Sequence, residues 1–103
     1  MKVILPAKRV GETRNFLFDF TSLLTQSNED INSASFTVAV YSGVDSSPTN
    51  ILSGTPSVSG AVVTQSFTGG VVGTIYQVVC TAVTNYQQHL QLQAFLAIQL
   101  DAT

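Results

Sequence analysis

From residue 90 to residue 100 the chain places Leu90, Leu92, Ala94, Leu96, Ile98 and Leu100 at every second position, with Gln91, Gln93, Phe95, Ala97 and Gln99 between them. Strand side chains alternate between two faces, so this spacing gives one clean apolar side. Wound into a helix, the same residues would spread around the whole circumference, and no capping residue precedes them. The stretch predicts a half-buried strand. Its predecessor, opening at Gly73, repeats the pattern: Tyr76, Val78, Cys80 and Ala82 fall on one side, and Ile75, Val79 and Val83 on the other. A polar turn, Thr84-Asn85-Tyr86-Gln87-Gln88, joins the two. Both strands require cover from a second sheet or a neighbouring subunit.

Earlier segments offer candidates for that cover. Phe16, Phe18 and Phe20 alternate with Asn15, Leu17 and Asp19. Three aromatic rings on one face make a large piece of core or interface, each able to bury roughly 150 Å² or more. A short helical turn is expected at Thr21-Ser22-Leu23-Leu24, with Thr21 as its cap, and a polar loop over 26–30. Next, Ile31 to Ser42 reads as a strand with Phe36, Val38 and Val40 inward and Thr37, Ala39 and Tyr41 outward. Turn-rich residues 43–50 follow, then a short segment at Ile51-Leu52-Ser53 and a break at Gly54-Thr55-Pro56. An extended piece begins at Ser57, bends or bulges at Gly60 and continues from Ala61 to Phe67, before the turn at Thr68-Gly69-Gly70. About seven extended segments separated by turns indicate an all-β sandwich rather than alternating strands and helices. Tyr76, near the start of a late strand, is placed either to send its hydroxyl back to an upstream backbone group, as in a tyrosine corner, or to serve as a plain core aromatic. The cysteine and tryptophan of a true immunoglobulin domain are missing; Val78 stands where the cysteine would be.

Charge divides the chain unevenly. All four basic residues, Lys2, Lys8, Arg9 and Arg14, lie in the first fourteen positions, and no Lys or Arg follows. Residues 1–14 therefore read as a basic N-terminal arm, interrupted by Pro6 and Gly11, ahead of a sandwich domain at 15–103. Lys2, Lys8, Arg9 and Arg14 are the candidate partner-binding residues. Charged residues make up 10% of the chain, against about 25% in an ordinary soluble domain. Exposed sheet margins are normally guarded by Lys, Pro or bulges, and the strands after the arm carry no Lys. Such a surface is expected to be covered by other chains. Four scattered cations on an acidic protein do not make a nucleic-acid platform. No apolar run approaches the length of a membrane span, and the charged start has too short an apolar stretch for a signal peptide.

The residues offer little for catalysis. One cysteine excludes an internal disulfide framework, and mid-strand Cys80 reads as a small buried hydrophobe. The single histidine, His89, faces away from the Leu90 stripe, and no third ligand is evident to complete a metal site with it and Cys80. No serine lies in a G-x-S-x-G elbow. Adjacent Glu29-Asp30 reads as a solvated turn, Asp45-Ser46-Ser47 lacks the acidic spacing of a calcium loop, and the glycines at 69, 70 and 73 lead into a strand rather than a phosphate-binding helix. We expect no enzyme, no cofactor and no metal.

Read end to end, the chain resembles the small virion proteins of tailed bacteriophages known as fibre–tail adaptors. The features that carry the resemblance are Gly11-Glu12 before an aromatic strand, Phe18-Asp19-Phe20 with Ser22-Leu23-Leu24, then Ile31, Ser33-Ala34 and Phe36-Thr37-Val38. Gly60, Gly69-Gly70 and Gly73-x-x-Tyr76 follow, leading to the terminal alternating strand. The resemblance implies an immunoglobulin-like sandwich, present in several copies around the virion tail. It also implies contact with other virion proteins, a tail adaptor or nozzle and a tail fibre, after synthesis in the host cytoplasm. A capsid decoration or head–tail joining protein and a carbohydrate-binding sandwich using Tyr41 and Tyr86 are the competing expectations.

Overall fold

The computed structural model describes residues 2–24 and 28–100, the first three by backbone alone. Part of the polar loop expected over 26–30, the side chain of Lys2, and Asp101 lie outside the described residues. Two sheets face each other. One holds the strands β1 (Lys2–Ile4), β2 (Lys8–Arg9), β4 (Ile31–Ser42), β7 (Ile75–Thr84) and β8 (His89–Gln99); the other holds β3 (Thr13–Asp19), β5 (Leu52–Ser59) and β6 (Val62–Thr68). In the first the order is β1-β8-β7-β4, with β2 also on β8; in the second it is β3-β6-β5.

The alternating stretch forms an antiparallel hairpin with Tyr76 opposite Leu96, Val78 opposite Ala94 and Cys80 opposite Leu92. All six of these side chains are buried, and the intervening ones of β7 are only half-covered. Against this flat face, which is small at Cys80, Ala82 and Ala94, the second sheet sets its rings. Phe16, Phe18 and Phe67 lie within the core, and Phe18 packs edge-on against Phe36 of β4 at 5.1 Å between ring centroids. Large rings facing small residues is how two layers interdigitate without voids. Each buried phenylalanine contributes roughly 1.5–3 kcal/mol of transfer free energy.

Three local details differ from the sequence reading or sharpen it. The segments on either side of Gly54-Thr55-Pro56 are one strand, β5, whose register shifts between Ser53 and Ser57. A proline is tolerated there because β5 is a sheet margin, and the buried Gln65 amide donates to the carbonyls of Ser53 and Gly54 that the irregularity leaves facing inward. Of the bulge or bend expected at Gly60, the chain takes the bend, and takes it as a full reversal. With φ +58°, Gly60 occupies a two-residue hairpin turn between Ser59 and Val62, a conformation open to glycine. Finally, the turn at Thr21–Leu23 is held not by Thr21 as cap but by Asp19, whose carboxylate accepts the Thr21 N–H at 2.9 Å. The bond from the Thr21 hydroxyl, and then the one from its N–H, hold the Asp19 carboxyl below its ordinary value.

Residues 2–10 lie along the free margin of β8. β1 and β2 run parallel to it, with Val3 opposite Ala94 and Lys8 opposite Ile98. Leu5 N–H donates to Phe95 O at 3.0 Å and Val10 N–H to Gln99 O at 2.9 Å. Pro6, which has no N–H to give, falls in the gap between the two short strands.

Candidate interaction surface

One end of the sandwich gathers the loops 43–51 and 69–74, the close of β8, and the turn from β2 into β3. A hydroxyl ties the two loops together. Tyr76 is fully buried, and its Oη donates to Asp45 Oδ2 at 2.6 Å while accepting the Val71 N–H at 2.9 Å. Asp45 Oδ1 accepts the Ser47 N–H at 2.9 Å. The hydroxyl thus returns to backbone five residues upstream, one of the two roles considered for this tyrosine. Burial, and then the hydrogen bond to Asp45, push the Tyr76 phenol up to about 12. The same bond, with that from Ser47, draws the Asp45 carboxyl down.

Glycine locks the second loop. Gly70 has φ +100°, and a Cβ there would lie 2.8 Å from Ile98 Cγ1. Gly73 N–H donates to Ile98 O and Thr74 N–H to Val71 O, at 3.0 and 3.1 Å. On these fixed loops stand the exposed aliphatic groups Val44 (82% exposed), Val71 and Val72, and Leu100 (70%) follows the close of β8 at the same end. Such side chains, held rigidly at a tip, have the make-up of a contact patch. The sequence reading missed them because Val71-Val72 reads as the approach to a strand and Val44 as a turn residue. The available signal was an aliphatic residue inside each of two glycine-flanked turns.

The four basic residues are placed differently from one another. Lys2 pairs by backbone with Gln93. Lys8 is fully buried, its Nζ donating to Arg9 O at 2.7 Å. Arg9 is exposed beside the aliphatic tip, where its Nη1 holds Leu100 O at 2.8 Å and its N–H donates to Glu12 Oε1 at 2.9 Å. Arg14, also exposed, lies 5.3 Å from the centroid of the Phe16 ring. The structure therefore brings Arg9 to the tip and keeps the Lys8 ammonium inside the fold.

His89 and Cys80 do not meet. Cys80 points into the core, and burial raises its thiol to about 12. His89 is exposed on the opposite face of the same sheet, with Val83 as its cross-strand partner. Among the described residues no three His, Cys, Asp or Glu side chains gather as a metal site would require. Tyr41 and Tyr86 are both exposed, yet Tyr41 closes β4 and packs on Phe95 at 4.8 Å while Tyr86 sits in the β7–β8 turn at the far end. They form no shared stacking platform for a sugar. No helix among the described residues is long and apolar enough to cross a membrane.

What this surface offers is contact: a small two-sheet β-protein with rigid loops and aliphatic groups at one tip. The chain belongs to the podophage GP4 fiber-tail adaptor protein gp77 family, whose model matches residues 8–97. No curated protein and no solved structure matches it.

Proposed function

We propose that this chain is a structural protein of a podophage virion tail, where several copies join tail fibres to the tail through protein–protein contacts and without catalysis. The family match supports the adaptor role. The aliphatic tip carries the choice of docking surface: Val44, Val71 and Val72 stand exposed on loops fixed by the Tyr76 hydroxyl, and Leu100 is exposed just past β8 with the Arg9 guanidinium on its carbonyl. A pre-ordered patch loses little entropy on docking, and a neighbouring cation steers an acidic partner. In this reading residues 2–10 contribute from the margin of β8, with Arg9 as their solvent-facing cation, and Arg14 contributes from β3 of the other sheet. The fold is immunoglobulin-like: strands in the order β3-β6-β5 face β8-β7-β4, the opening strands lie on the last one, and a tyrosine hydroxyl bonds back to upstream backbone.

Co-purification with the tail-fibre and tail-nozzle proteins of the same phage tests this. Wild-type protein is expected to be retained, and Val72→Asp with Arg9→Glu to be lost while its circular dichroism stays unchanged. Equal retention of the double variant would remove the tip from the interface. Labelled copies found on the capsid instead of the tail in electron micrographs would overturn the adaptor role itself.

A further inference from the structure

The four sheet margins are not alike. β8 is covered by β1 and β2. β5 carries a register shift and Pro56, and β3 carries the exposed charges of Arg14 and Asp19; these are devices that keep an edge from pairing with another chain. β4 has none. Its twelve residues, INSASFTVAVYS, include no charge, no proline and no glycine.

The hydrogen-bonding direction of each β4 residue follows from the hairpin beside it. Thr84 N–H donates to Gln88 O, and Ile98 N–H donates to Thr74 O. Backbone bonding alternates along a strand, so the even-numbered residues of β7 bond toward β8 and the odd-numbered ones toward β4. Their partners there are Ser33, Ser35, Thr37 and Ala39. The N–H and C=O groups of Ala34, Phe36, Val38 and Val40 consequently point away from β7, and no hydrogen bond among the described residues reaches them. Their side chains turn inward and are only half-buried, so the core itself comes to the surface along this margin.

We propose that the open margin of β4 is a self-association site, at which two copies of this chain pair antiparallel about a twofold axis passing beside Thr37. A second copy fits for two reasons. Antiparallel pairing of Ala34 with the copy's Val40, and of Phe36 with the copy's Val38, matches every outward-pointing donor to an acceptor. The strand also brings no like charges together, although the chain carries a net charge of −2. In this register Thr37 faces its own counterpart on the exposed side of the joined sheet, a small β-branched pair suited to that position. Main-chain bonds supply the affinity, as in other strand additions, and the half-buried Phe36, Val38 and Val40 gain cover. The site is separate from the tip assigned to fibre and tail contacts.

Sedimentation velocity of the full chain over a concentration series tests this without any phage partner, so it stands or falls apart from the adaptor role. A reversible dimer is expected, and Thr37→Lys, which sets two ammonium groups face to face, should abolish it while the thermal midpoint at dilutions where wild type is monomeric stays unchanged. In a second arm, Thr37→Cys should form a disulfide-linked dimer under mild oxidation. Facing residues in this kind of pair have Cα atoms about 4.5 Å apart, within disulfide reach, and the buried Cys80 does not compete. A chain that is monomeric at every concentration would overturn the proposal, as would a dimer that survives Thr37→Lys. So would a Thr37→Cys protein that remains unlinked, which covers the case of a Lys variant failing to fold.

Discussion

Removing a single oxygen tests whether the Tyr76 hydroxyl holds the loop end together. In Tyr76→Phe the ring keeps its place in the core, but the Val71 N–H loses its acceptor and Asp45 loses the hydroxyl donor. A backbone donor left without its partner costs about 1–3 kcal/mol. Val71 is 42% exposed, so water can reach part of the vacated geometry, and the lower half of that range, about 1–2 kcal/mol, is expected. For a domain of this size the melting temperature should fall by on the order of 10 °C. A second signature comes from pH. The Tyr76 phenol is raised to about 12 in the fold against about 10 in an unfolded chain. Its contribution is therefore complete below pH 10 and is lost as pH rises through 12. Asp45 acts in the opposite sense: its folded value is depressed, so its contribution is present above the ordinary carboxyl range and fades as pH falls through the lowered value. Thermal melts of wild type and variant from pH 3 to pH 12 should show the wild type losing its advantage at both extremes. A variant that melts with wild type at pH 7, or that keeps the wild-type loss between pH 10 and 12, would refute this account of the loop end.

Two further outcomes follow from the packing. Gly70→Ala combines a positive φ with a contact of 2.8 Å to Ile98 Cγ1; a destabilisation of about 1–3 kcal/mol is expected, read as a lower urea midpoint with an unchanged slope. Cys80 should resist thiol reagents at pH 8 in the native protein, because burial both shields it and raises its thiol to about 12, and should react fully in denaturant; rapid native labelling would show that the β7–β8 layer opens.

The period-two segments were legible in the sequence, because an alternating pattern on a half-buried sheet has one consistent solution. Residues 31–42, 75–84 and 89–99 fall as strands with the anticipated faces inward. Less legible were features set by distant parts of the chain. Nothing in Val3-Ile4-Leu5 or Lys8-Arg9 says that these residues will lie parallel to a strand some ninety positions away, since parallel pairing has no local turn to announce it. The union of two short segments into β5 depends on Gln65, which supplies its amide from the neighbouring strand. Lys8 illustrates the limit for charge: composition placed it with Arg9 and Arg14, yet strand alternation and a carbonyl acceptor take its ammonium inside. The exposed valines of the tip were visible as letters but not as neighbours, because the Tyr76 hydroxyl and the close approach of Gly43 to Thr74 bring their two loops together.

The parallel lie of β1 and β2 on β8 also governs how the protein bears tension. Pulling the opening strands and the closing strand apart along their axes loads the backbone bonds between them sideways, so they must yield as a group instead of unzipping one after another. Arg9 Nη1 on Leu100 O spans the same seam. Under the adaptor role proposed above, a pull that enters through these two strands would meet the seam in shear. Single-molecule stretching should record one high rupture force, and an early, low-force release of residues 2–10 would count against the idea.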